Sequence, residues 1–342
     1  MDDVRQMQTG TFEFTLIAET GHRFGDFTPY VASVNGAGVV AFQAALRTGG
    51  SGVFVGDGRS VSTVVHTVDG PLGGIFSHPD INERGEVCFY ACLKAGGQRV
   101  FIVRDGTLAI IPTDGCEFQS IGPLGPTMND HGTLAFRASL VGYAGVFSGS
   151  REAVVAIADN RGKFSAFHGL PVINGKGTVV FRADLSRGGQ GIYAGSGGSL
   201  TVIAETGEQF RDLSKFPTLN DEDMVVFAGN LSSGGAGIFA ATARGVTPLV
   251  AADGMFESYR GALANNSGLV AFCATPRRGR LGVFSGPDPV ANRIICIGDS
   301  LFGSTVTDFA LNPVSVNESA QMAIRVSLSD NRQVILRIDP LR

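Results

Sequence analysis

Short runs of alternating apolar and polar residues fill the chain. Thr178-Val179-Val180-Phe181-Arg182-Ala183-Asp184-Leu185 is typical: apolar side chains return with period two, as a strand between packed faces requires. No stretch carries a helical period of useful length, so the pattern predicts an all-β fold. The runs recur in a larger unit of about 46 residues, built on Asn-x-x-Gly followed by a strand that ends in Phe. The Asn residues are Asn35, Asn82, Asn129, Asn174, Asn220, Asn265 and Asn317. Seven residues after them stand Phe42, Phe89, Phe136, Phe181, Phe227, Phe272 and Ile324. Each unit has room for four strands, the spacing of propeller blades.

The Asn-x-x-Gly unit has a local mechanism. Asn opens a type I turn by bonding its own downstream backbone, and Gly takes the left-handed position that closes the hairpin. Gly38, Gly85, Gly132, Gly177 and Gly268 fill that place, and Asp223 tolerates it. Ala320 suits it poorly, so the seventh turn is expected to differ. The last copy runs out after its third strand. Its missing fourth strand is found at the other end: Phe14-Thr15-Leu16-Ile17-Ala18-Glu19-Thr20-Gly21 matches Leu200-Thr201-Val202-Ile203-Ala204-Glu205-Thr206-Gly207 at six of eight positions. The expectation is one domain over residues 1–342, a seven-bladed β-propeller of four-stranded blades. The N-terminal strand closes the last blade, which removes two exposed edges.

These repeats resemble a group of bacterial proteins with tandem Asn-x-x-Gly-x-x-Ala-Phe (NxxGxxAF) repeats, described as choice-of-anchor proteins. Gly38-Val39-Val40-Ala41-Phe42 and Gly268-Leu269-Val270-Ala271-Phe272 carry the resemblance best. It implies a repeat fold over nearly the whole chain and brings no catalytic residues with it. Many members of that group look secreted and anchored. This sequence shows neither leader nor sorting signal, and its five scattered cysteines suit reduced thiols, so a cytoplasmic protein is expected.

Composition narrows the function classes. The chain of 342 residues carries 27 Lys and Arg against 31 Asp and Glu, a net charge of −4, which excludes a globally basic nucleic-acid binder. No run is long and apolar enough for a membrane helix. A monomer is favoured. No calcium loop, His-Glu-x-x-His or Cys-x-x-Cys pattern occurs, so neither a metal site nor a cofactor is expected. An acid ends each fourth strand (Glu19, Asp69, Asp114, Asp159, Glu205, Asp253, Asp299), but fourth strands lie far apart, and Asp-Gly or Glu-x-Gly there is turn chemistry.

A propeller gathers the loops joining one blade to the next, and those joining second and third strands, at one channel mouth. One residue before each Asn is apolar (Val34, Ile81, Met128, Ile173, Leu219, Ala264, Val316), which predicts interblade core. Two before it, small polar residues dominate (Ser33, Asp80, Thr127, Thr218, Ser315), which predicts a wet channel wall. Nearer the mouth stand Tyr30, His78, His168, Lys215, Tyr259 and Arg260, and the loops add Arg187 and Arg277 among other cations. A basic and aromatic mouth favours a small anionic molecule or an acidic peptide, with Asp80, Lys215, Arg260, Arg187 and Arg277 as ligand contacts. His78 and Asp80, two apart on one strand, form a candidate acid–base pair. Cys116 beside Glu117 is a candidate thiol near His78. The first reading is therefore a binding propeller. The alternative is a lyase, hydrolase or cyclising enzyme at the same mouth, with His78 or His168 as base, Tyr30 or Tyr259 as acid, and Lys215 or Arg260 holding the anion. A third reading, a structural scaffold, leaves the polar mouth unused.

Overall fold

The computed structural model describes residues 6–112, 118–251 and 254–341. Among them there is no helix, and the strands form seven antiparallel sheets, the blades of a seven-bladed β-propeller. In each blade strand a precedes the repeat Asn, strand b follows it, and c and d continue the meander outward. Blade 5, for example, has Phe210–Leu213 and Thr218–Leu219 as its split strand a, then Val225–Leu231, Ala236–Thr242 and Gly245–Val250. In blade 7 the strands Ser304–Ala310, Met322–Leu328 and Gln333–Pro340 are completed by Phe12–Glu19 from the other end of the sequence. Phe12 stands opposite Pro340 and Glu19 opposite Val334. Beyond this expected closure, Gln6–Thr9 pairs with Phe12–Glu19 outside it and Ser300–Leu301 pairs with Ser304–Ala310, which makes the sheet six-stranded.

Strand a is not one straight run. It is interrupted in blades 1, 2, 3, 5 and 7, and bulged in blades 4 and 6. Pro29, Pro79, Pro123, Pro217 and Pro313 stand in the five interruptions. A proline offers no N–H to the ladder, so the chain leaves the sheet there and rejoins it before the Asn. These looped-out segments carry Tyr30, His78, Lys215 and Phe216.

Period-two alternation fixes how blades stack. Seven buried clusters occur, each shared by two neighbouring blades. The motif Phe and its partners on strands a and c face the preceding blade. Phe210, Phe227 and Phe239 of blade 5 pack on Val172, Val180, Ile192 and Ala204 of blade 4, and the Phe210 and Phe239 rings meet nearly edge-on at 5.0 Å. Burying each such ring contributes about 1.5–3 kcal/mol. The residue after the motif Phe must then face the following blade. Tyr90 Oη donates to Pro123 O at 2.6 Å and Arg137 Nη1 to Phe167 O at 2.5 Å, both on the next blade.

The Asn-x-x-Gly turns form as expected. Asn129 Oδ1 accepts the N–H groups of His131 and Thr133, and Gly132 lies at φ +79°. Ala320 departs from expectation: it adopts φ +61°, and its N–H still bonds Asn317 O at 3.1 Å. The surrounding hydrogen bonds of that turn outweigh the left-handed strain, roughly 1–2 kcal/mol for a non-glycine residue. The other end of each Asn side chain has a second role. Its Nδ2 donates to the backbone carbonyl of the next blade's Asn, from Asn35 round to Asn317 and back to Asn35, at 2.7–3.5 Å. Seven buried amides thus form a closed hydrogen-bonded ring at the lower end of the channel.

Candidate functional site

The two channel ends differ chemically. The lower end holds a cavity of about 280 Å³ bounded by the Asn ring. All seven residues preceding the Asn, from Val34 to Val316, line it at their edge while packing in or against the interblade core, as their apolar character predicted. Conversely, Ser33, Thr127 and Ser315 are buried between blades instead of wetting the wall. Thr127 Oγ1 donates to Pro171 O at 2.9 Å and Ser315 Oγ to Ala32 O at 2.7 Å. Glu83, Asp130, Asp221 and Glu318 ring the lower rim. Glu83 Oε1, for instance, accepts Gly36 N–H at 2.7 Å, and Asp221 Oδ1 accepts Gly175 N–H at 2.6 Å. Burial, with Asp221 and Glu83 nearby, raises the Glu318 pKa.

Asp80 is 4% exposed, and its carboxylate accepts the N–H groups of Ile81 and, on the next blade, Met128, both at 2.8 Å. Burial pushes its pKa up to about 7. The expected pairing with His78 is not present. The strand breaks between Ile75 and Asp80, so the period-two rule does not span that segment. His78 Nδ1 instead accepts Val31 N–H at 2.8 Å, and its ring meets Tyr30 edge-on at 5.8 Å. Burial first, then the field of Arg325, pulls the His78 pKa down to about 4. It is a neutral clamp between blades 1 and 2. Cys116, Glu117, Asp114 and Asp253 lie outside the described residues.

The loop arginines do not converge on the mouth. The b–c loops sit on the outer half of each blade, where arginine reaches the adjacent loop or acid. Arg187 pairs with Glu205, which also meets Lys163 and Tyr193. Arg277 donates to Gly254 O at 2.9 Å in an outer groove. Arg332 pairs with Asp330 and Glu19. Of the acids ending the fourth strands, Glu19, Asp159, Glu205 and Asp299 are engaged by local partners, and no metal-holding cluster of acids, histidines or cysteines exists among the described residues.

At the upper end the ring of residues after the motif Phe decides where space remains. It reads Gln43, Tyr90, Arg137, Arg182, Ala228, Cys273 and Arg325. Five are large; blades 5 and 6 carry Ala228 and Cys273. A cavity opens beside each. Next to Ala228, between blades 5 and 6, lies one of about 190 Å³, lined also by Asp212, Ser214, Lys215, Phe216, Asn230, Tyr259 and Arg260. Next to Cys273, between blades 6 and 7, lies a second of about 190 Å³ that shares Phe216 and Arg260 as a wall. The first holds three of the residues predicted for a site: Lys215, Tyr259 and Arg260.

Its polar groups are unevenly satisfied. Ser214 Oγ and Tyr259 Oη are shielded from water and have no hydrogen-bond partner. Asp212 accepts from Asn230 Nδ2 at 3.3 Å. Among the described residues neither Lys215 nor Arg260 has a carboxylate partner. Burial raises the Tyr259 pKa to about 12 and the Cys273 pKa to about 12, so both keep their protons at neutral pH. His168 stands on the adjoining blade 4. Its Nε2 lies 2.7 Å from Asp184 Oδ2, and the other Asp184 oxygen lies 2.8 Å from Arg182 Nη1. Gly169, at φ +68°, lies so close to blade 5 that a Cβ there would overlap the Lys215 carbonyl. His168, Lys215 and Arg260 therefore follow one another on consecutive blades, with the oriented His–Asp pair on blade 4 outside the lining of the cation-lined cavity.

The fold is shared with proteins of several activities. A puromycin-hydrolysing peptidase of Mycobacterium tuberculosis superposes with a TM-score of 0.60 at 12% identity, over 92% of this chain and 52% of its own. The chain thus spans about half the length of that peptidase. An oligogalacturonate lyase in complex with manganese gives 0.59 at 10% identity, over 98% of this chain and 95% of its own. A second oligogalacturonate lyase, from Vibrio parahaemolyticus, gives 0.56 at 11%, over 97% of each chain. At such identities the likeness is one of fold alone. A search of curated protein sequences found no match. A family model matches residues 13–256, and with that span the chain belongs to DUF7453, a family of unknown function.

Proposed function

We propose that the protein is a binding propeller that takes a small anionic molecule into the cavity between blades 5 and 6. The observation that carries this is the pair of buried hydroxyls, Ser214 Oγ and Tyr259 Oη, left without partners in a cavity whose rim holds the unpaired cations Lys215 and Arg260. A buried hydroxyl with no partner costs about 1–3 kcal/mol. A ligand oxygen that accepts from both removes that cost, and Lys215 and Arg260 supply the field for its charge. A cavity of about 190 Å³ suits a small molecule better than a peptide segment. Titration calorimetry with acetate, galacturonate and inorganic phosphate tests the reading. At least one is expected to bind, with affinity lowered roughly tenfold by Tyr259→Phe and further by the Lys215→Ala, Arg260→Ala pair. Binding that survives the double change overturns it.

One observation favours a second reading, in which the bound anion is also a substrate. The Asp184 carboxylate fixes the His168 ring on blade 4, the blade next to the cavity's blade 5, as a general base is commonly oriented. Under it, His168→Ala abolishes turnover of a bound ligand without lowering its affinity.

A further inference from the structure

We propose that the chamber between blades 6 and 7 receives the ring of an aryl carboxylate whose carboxylate lies on Lys215 and Arg260. This rests on the anion-site reading above and names the ligand class. The chamber exists because Cys273 stands where five of the other six blades place Arg, Tyr or Gln, and because Gly261 and Ala262 keep its inner wall thin. Its walls are Leu263, Cys273, Leu281, Phe309 and Leu311, with Phe216 between it and the polar cavity. Arg260 borders both spaces, so one guanidinium reaches the anion and lies beside the ring, a contact its planar face favours. The volume of about 190 Å³ suits one six-membered ring, since an apolar protein cavity of about 150 Å³ binds benzene. One polar group faces this space unpaired. Asn312 is buried, and its Oδ1 accepts Val314 N–H at 3.0 Å, but Nδ2 has no partner. A hydroxyl on the ring would accept from it.

Calorimetry on the full chain with acetate, hexanoate, phenylacetate and 4-hydroxyphenylacetate tests this. Phenylacetate is expected to bind roughly 10- to 100-fold tighter than acetate, the range set by burying one ring. The hydroxylated acid is expected to be tighter still. The preference for the ring should collapse in Cys273→Phe, which fills the chamber, while acetate binding is kept. Leu311→Trp, at a half-buried position, serves the same purpose if Cys273→Phe fails to fold. Acetate binding with no gain from the ring overturns the chamber assignment and leaves the anion site standing. Binding of none of the four overturns both. Hexanoate as tight as phenylacetate, or an undiminished ring preference in a folded variant, also overturns the aryl assignment.

Discussion

Replacing Asn129 by aspartate isolates one link of the amide ring. The side chains are isosteric, so Oδ1 keeps the N–H groups of His131 and Thr133, at 3.1 and 3.0 Å. The other atom changes from a donor to an oxygen facing the Asn174 carbonyl, where the amide nitrogen stood at 3.0 Å. An ionised carboxylate at this position would lose a hydrogen bond, worth about 1 kcal/mol, and set a buried charged oxygen against the Asn174 carbonyl, which keeps only the Gly177 N–H. Carbonyl repulsion and desolvation add to that. The folded variant escapes by keeping its proton, which restores the donor, so the folded pKa rises above the unfolded value near 3.9. The penalty is therefore absent below about pH 3.9 and grows by about 1.36 kcal/mol per pH unit above it, until the folded pKa is passed. Remaining protonated at pH 7 caps the loss at about 4 kcal/mol. Urea unfolding of wild type and variant at pH 3.5, 5 and 7 measures the difference, with the wild type's own pH dependence subtracted. Expected losses are under about 1 kcal/mol at pH 3.5 and about 3–4 kcal/mol at pH 7, with unchanged m. Asn129→Ala breaks all three bonds and should lose about 3 kcal/mol at every pH. A variant as stable as wild type at pH 7, or a deficit that does not shrink on acidification, refutes the ring as an energetic element.

Three further outcomes follow from the same structure. Asp80, raised from 3.8 to about 7 in the folded state, contributes stability that is full below about pH 4 and lost as pH rises towards 7; Asp80→Thr should thus gain on wild type by up to about 4 kcal/mol over that window in unfolding titrations, and a pH-independent difference counts against it. His78, lowered from 6.5 to about 4, acts in the opposite sense, its contribution being present above 6.5 and lost on acidification, so wild type alone shows only the net of the two. Tyr259→Phe should raise the stability of the ligand-free protein by about 1 kcal/mol, because it removes an unpaired buried hydroxyl; a lower melting temperature would mean that the hydroxyl is satisfied. Ala320→Gly should stabilise by about 1 kcal/mol by relieving the left-handed strain at φ +61°, and a loss in the urea midpoint contradicts this.

The fold is legible in the sequence because each of its rules is local or periodic. The spacing of Asn35 to Asn317 marks the blades, and the match of residues 14–21 to 200–207 places the closing strand. The breaks in strand a were also within reach, since Pro29, Pro79, Pro123, Pro217 and Pro313 interrupt otherwise plausible strands. What was not legible depends on contact between blades. The Asn pattern shows the turn but not the partner of Nδ2, which lies about 46 residues away on the next blade. His78 and Asp80 look paired only if the strand between them is continuous. The cavity left a readable trace: aligning the residue after each motif Phe shows five large side chains and then Ala228 and Cys273. Residues before the Asn turn towards the floor and the interblade joints, so their pattern carries no trace of it.

The seam in blade 7 bears on where the backbone has to be continuous. Leu341 N–H bonds Thr11 O at 2.8 Å, so those two points adjoin, and a short linker from Leu341 to Thr11, with the outer strand Gln6–Thr9 given up, would turn the seven blades into a covalent loop. That loop could then be opened at an exposed hairpin such as Gly197–Gly198 with every blade contact and every amide link preserved. A circular permutant of this kind should therefore be as competent to fold as the natural order, which makes the position of the cut a choice left to genetics rather than to mechanics.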